Sequence, residues 1–94
     1  MAKLVLSPSA RQDLSDVFDY IARDKPIAAA NWVKRIEQKC RRIAETPDFG
    51  ELRPEYGSDI RSSVVGRYVI FYRAIDGGIE VARVIAGDRD IRSL

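Results

Sequence analysis

Tyr68-Val69-Ile70-Phe71-Tyr72-Arg73-Ala74 runs into the turn Asp76-Gly77-Gly78, and Ile79-Glu80-Val81-Ala82-Arg83-Val84-Ile85 runs back out of it. Two runs rich in β-branched and aromatic residues, joined by a short glycine turn, read as an antiparallel hairpin. Side chains alternate between the faces of a strand. Strict alternation puts Tyr68, Ile70 and Tyr72 on one face, and Arg67, Val69, Phe71 and Arg73 on the other. On the returning strand Ile79, Val81, Arg83 and Ile85 alternate with Glu80, Ala82, Val84 and Ala86. Both faces are substantially apolar, so both need covering.

Outward from the hairpin, Ile60–Val64 reads as a further strand, set off by Val65-Gly66-Arg67, and Lys3–Leu6 as a first one. Between them lie two helical stripes. Ala10, Leu14, Val17 and Ile21, widened by Phe18, form one apolar face. Its start is capped by Ser7 with Pro8 at the first helical position, or by Ser9 with Gln12 three residues on. Ala29, Val33, Ile36, Cys40 and Ile43 form the second stripe, from near Pro26 to Thr46, where Pro47 disfavours helix. Helices joined by so short a turn fold back as a hairpin, and neither stripe is buried by the other helix alone. The expected fold is α+β: one domain over residues 1–94 in the order β-α-α-β-β-β, with a helical hairpin on one face of a largely antiparallel sheet.

Half-exposed antiparallel sheets usually carry a polar outer face, and this one does not. Either the 48–57 loop closes the second face, or that face awaits a partner, as exposed apolar patches do.

Composition narrows the chemistry. With 94 residues, 46% hydrophobic and 32% charged, the chain has the make-up of a folded globular domain. Net charge is only +2, but twelve arginines stand against four lysines, and arginine's planar fork suits carboxylates and phosphates. There is no histidine and a single cysteine, Cys40. Metal sites and Ser/Cys–His nucleophiles therefore lack their parts. No cofactor is expected, and Cys40, on a buried stripe, reads as an inert core thiol. No membrane span or signal peptide is visible, and a cytoplasmic location is expected.

Arginines remain. Arg73 is placed to pair with Glu80 across the hairpin. Arg83, between Val81 and Ile85 on one face, is either paired with a buried carboxylate or presented to a ligand. Lys34, Arg35, Lys39, Arg41 and Arg42 on the second helix read as a solvated face diluted by Glu37 and Glu45.

Leu6-Ser7-Pro8-Ser9-Ala10 with Asp13-Leu14 and Ile21-Ala22 resembles the start of toxins in the RelE/ParE superfamily of bacterial toxin–antitoxin pairs. So do Arg67-Tyr68-Val69-Ile70-Phe71-Tyr72-Arg73 and Arg83-Val84-Ile85-Ala86-Gly87-Asp88-Arg89-Asp90. The resemblance covers nearly the whole chain and implies one of two activities. RelE-like members cut messenger RNA on the ribosome with lysines and arginines of the sheet. ParE-like members poison DNA gyrase and are not nucleases. Arg89 matches an active-site arginine of the nucleases. Ile60–Val64 has no lysine, however, and Val69 stands where some nucleases carry arginine. No tyrosine or histidine follows Arg89 before Leu94, and acid–base catalysis needs a titratable group at the reacting proton.

The resemblance therefore implies a ParE-like toxin that inhibits gyrase and forms a hetero-oligomer with a ParD-like antitoxin. The expected partner surface comprises Arg61, Tyr68, Ile70, Tyr72, Arg83, Ile85 and Arg89, and direct nucleic-acid binding is not expected. In the alternative, a RelE-like ribonuclease, Arg61, Arg83 and Arg89 stabilise the transition state. A non-toxic relative that only binds an antitoxin is a third reading.

Overall fold

The structure, a computed structural model, describes residues 1–87. Its elements are β1 (Lys3–Leu6), α1 (Pro8–Ala22), α2 (Pro26–Glu45), β2 (Glu51–Leu52), β3 (Ile60–Val65), β4 (Tyr68–Ile75) and β5 (Gly78–Ala86), with single 3-10 turns at Pro47–Phe49 and Pro54–Tyr56. This is the expected α+β order, with one addition. The two-residue β2 sits inside the segment read as loop, too short to show a period in the sequence.

Ser7 caps α1: its hydroxyl accepts the Ala10 N–H at 3.0 Å, and Pro8 fills the first helical turn. The sheet runs in the order β1-β5-β4-β3-β2, antiparallel except for the parallel pair β1–β5. That parallel pairing requires a crossover, and the α1–α2 hairpin supplies it. Gly78 is needed at the join, because a Cβ there would lie 1.8 Å from the Lys3 carbonyl oxygen. Gly66 turns β3 into β4 with φ of 59°, and the Trp32 ring of α2 occupies the space a side chain there would need.

The core lies between the helical hairpin and the sheet. Ala10 and Leu14 of α1 and Ile36, Cys40 and Ile43 of α2 pack on Tyr68, Ile70, Tyr72, Ile79, Val81 and Val84. Burial pushes the Cys40 thiol up to about 12, consistent with an inert core residue. No described helix is long and apolar enough to cross a membrane.

Strict alternation on β5 fails at one residue. Arg73 opposes Glu80 and Tyr72 opposes Val81, but Phe71 then opposes Arg83 and Ile70 opposes Val84. Ala82 is passed over, a bulge that reverses the facing of everything beyond it. Ile79 and Val81 before the bulge thus share the helix-covered face with Val84 and Ala86 after it. Arg83 and Ile85 turn to the open face, beside Phe71 and Val69.

Candidate functional site

The bulge sits where β1 stops pairing. β1 covers β5 only from Gly78 to Val81, so the next backbone groups of β5 need other partners. The α1 N-cap Ser7 and Asp13 of α1 provide them. The Ser7 hydroxyl donates to the Ala82 carbonyl at 2.7 Å, and Asp13 Oδ2 accepts the Val84 N–H at 2.9 Å. The same carboxylate takes Arg83 in a two-pronged grip, Nε to Oδ2 at 2.8 Å and Nη2 to Oδ1 at 2.9 Å. Asp13 is only 11% exposed. Its hydrogen bonds raise the pKa of Arg83, against the opposing pull of burial.

Asp13 is the residue sequence reasoning missed. It lies one position before Leu14, at the margin of the apolar stripe, where a side chain is half-buried rather than solvated. The carboxylate foreseen as one option for Arg83 is this one.

Arg61 and Tyr72 act together elsewhere. Arg61 Nη1 donates to the carbonyls of Asp48 (3.0 Å) and Gly50 (2.8 Å). The Tyr72 hydroxyl donates to the Pro47 carbonyl at 2.8 Å and accepts the Gly50 N–H at 2.9 Å. Both side chains tie the 47–50 segment to the sheet. Burial raises the Tyr72 pKa, with the Gly50 N–H opposing.

Of the residues expected to meet a partner, Ile70 and Tyr72 are fully buried under the helices, and Tyr68 shows only an edge in a cleft beside α1. That burial is at odds with a direct contact role for these three. Strict alternation had placed Arg83 and Ile85 apart from the Val69–Phe71 face, and the bulge brings them onto it. Arg89 lies outside the described residues.

Half of the open face is closed by the chain itself. Tyr56 meets Phe71 edge-on with centroids 5.4 Å apart, and the Arg53 guanidinium lies over both rings. Phe71 is only 1% exposed as a result. Arg53 also pairs with Glu55 at 3.1 Å, and Arg73 with Glu80 at 2.7 Å as its register predicted. A cleft of about 570 Å³ remains between this cover and Ser7.

The other half is left uncovered by the described residues. Val64 opposes Val69, and Val69 opposes Ile85, so three β-branched side chains form a row across β3, β4 and β5. Val64 is 60% exposed. Among the described residues no group of three His, Cys, Asp or Glu side chains converges as a metal site would require.

Residues 4–91 match the family described as the ParE toxin of the type II toxin–antitoxin system parDE. The toxin RelE2 of Caulobacter vibrioides is 32% identical over 84 residues, which span 89% of this chain and 93% of that protein. A chain from the chromosomal ParDE toxin–antitoxin system of P. aeruginosa shares the fold, with a TM-score of 0.77 at 19% identity, over 92% of this chain and 96% of its own.

Proposed function

We propose that this chain, which belongs to the ParE toxin family of type II toxin–antitoxin systems, disables its target by binding it rather than by cutting RNA. The target is DNA gyrase in the cytoplasm, and a ParD-like antitoxin neutralises the toxin in a hetero-oligomer.

The observation that carries this reading is the state of the sheet arginines. Transition-state stabilisation on a phosphate needs cationic donors aimed at the reacting group. Arg83 is gripped at two atoms by Asp13, Arg73 is paired with Glu80, and Arg61 donates to two carbonyls. Turning Arg83 toward an RNA phosphate would strip its counter-charge from a carboxylate that is 11% exposed, a costly exchange. The phenol of Tyr72 is buried and bonded on both sides, out of reach as an acid or base. What the open face offers instead is apolar surface, the row Val64–Val69–Ile85. That surface suits an antitoxin segment folding onto it.

The test is a pair of assays on the purified chain. Gyrase supercoiling should fall with added protein while ribosome-bound messenger RNA stays intact. Unimpaired supercoiling together with cut RNA would replace this reading with a RelE-like ribonuclease.

A further inference from the structure

On the helical side of the sheet, α2 carries three cations with no acidic partner among the described residues. Arg35, Lys39 and Arg42 are spaced i, i+4 and i+7 along α2, one stripe about 10.5 Å long at 1.5 Å per residue. The acids of α2 are elsewhere. Glu37 lines a groove with Arg11 of α1, and Glu45 reaches the Ala2 N–H at 3.5 Å beside β1. Lys39 and Arg42 instead wall a groove of about 270 Å³ between α2 and the edge of β3, floored by Ile43 and Tyr72 and bounded by Phe49 and Ser63. Among the described residues no acidic side chain lines it.

The rim of this groove is apolar. Phe49 is 87% exposed, and Leu52, next along the same edge, is more than half exposed. β2 pairs only with Arg61 and Ser62, so the β3 edge is open from there on. Aromatic and arginine side chains together are the signature of protein interfaces. A polyanion such as DNA would instead call for many phosphate-binding cations, against a net charge of +2 for the whole chain.

We infer that this flank docks an acidic surface of the protein the toxin disables, with an apolar side chain of that protein closing on Phe49. The surface is separate from the antitoxin-covered row across the sheet. The inference rests on the reading that the chain acts by binding a protein, but not on that protein being gyrase.

The experiment is growth arrest on induced expression in cells, comparing the full chain with the Lys39→Glu/Arg42→Glu double variant and with Phe49→Ser. None of these side chains has a hydrogen bond or ion pair to lose, and matching melting temperatures would show intact folds. Charge reversal at an interface acts mainly on association, so the level of expression needed for arrest should rise by at least about tenfold. Lys39→Arg/Arg42→Lys should restore arrest, and all variants should still co-purify with the antitoxin. Arrest at unchanged expression by the double variant would overturn the proposal, as would a natural chain that does not arrest growth. So would binding of a labelled single-stranded dT oligonucleotide that the double variant loses, since the groove would then serve nucleic acid. If arrest depends on the flank while gyrase is unaffected by the natural chain, the docking surface stands and only the identity of the target falls.

Discussion

Replacing Asp13 by alanine should be among the most damaging single changes in α1, although the residue lies off its apolar stripe. Three interactions are lost together: both prongs of the Arg83 grip and the Val84 N–H bond. A buried N–H left without an acceptor costs about 1–3 kcal/mol. The ion pair adds less than a fully buried one, because Arg83 is 36% exposed and water can take over part of its solvation. A total of about 2–4 kcal/mol follows. For a domain of this size each kcal/mol moves the melting temperature by about 4–8 °C, so a fall of roughly 10–30 °C is expected.

Asp13→Asn separates the two parts. Its amide oxygen can still accept the Val84 N–H but carries no charge for Arg83, so the loss should be about half as large. Arg83→Met supplies the other corner of a double-mutant cycle, and coupling with Asp13→Ala should be on the order of 1 kcal/mol. The assay is reversible thermal or urea unfolding followed by circular dichroism. If Asp13→Ala melts within about 2 °C of the natural chain, the clasp does not hold helix to sheet as argued. The case against a catalytic Arg83 then loses its foundation too.

Three further outcomes are expected. Tyr72→Phe leaves the core packed but unties the 47–50 segment from the sheet. It should cost about 1–2 kcal/mol and speed amide exchange at Gly50, whose N–H bonds to that hydroxyl; unchanged exchange would argue against the tie. The Cys40 thiol, raised from 9.0 to about 12 by burial, binds its proton more tightly folded than unfolded. Its contribution to stability is thus full below about pH 9 and is lost as pH rises toward 12. At pH 8 a thiol reagent should react only as fast as the protein unfolds, and rapid labelling of the native state would contradict the burial. Ile85→Asp places a charge at the β5 end of the apolar row; it should weaken antitoxin co-purification by at least about tenfold with little change in melting temperature.

The sequence was most legible where one period governs a long stretch. Both helices, the Ser7 cap of α1 and the β4–β5 hairpin follow from stripes and turn residues that tertiary contacts reinforce. The family resemblance carried by Leu6–Ala10, Arg67–Arg73 and the segment after Arg83 also agrees with the match over residues 4–91. The candidate site was less legible, for a single physical reason. One extra residue, Ala82, reverses a period of two, and nothing in Val81-Ala82-Arg83 marks it, because alanine is small enough to suit either face. The cause of the bulge lies far away in sequence, in the N-cap serine and an aspartate of α1 that bond the β5 edge once β1 has ended. With the reversal in place, Tyr68, Ile70 and Tyr72 belong to the core together with Val81 and Val84, while Arg83 and Ile85 join Val69 and Phe71. The open face is therefore an apolar row beside a set of paired charges. Among the described residues, α2 carries a stripe of cations without a counter-charge, where the sequence shows only an ordinary charged helix. Their segregation from Glu37 and Glu45 is visible only once the neighbours of each side of that helix are known. On this chain the arginines conspicuous in the sheet hold the fold, and an unremarkable pair, Lys39 and Arg42, remains available for recognition.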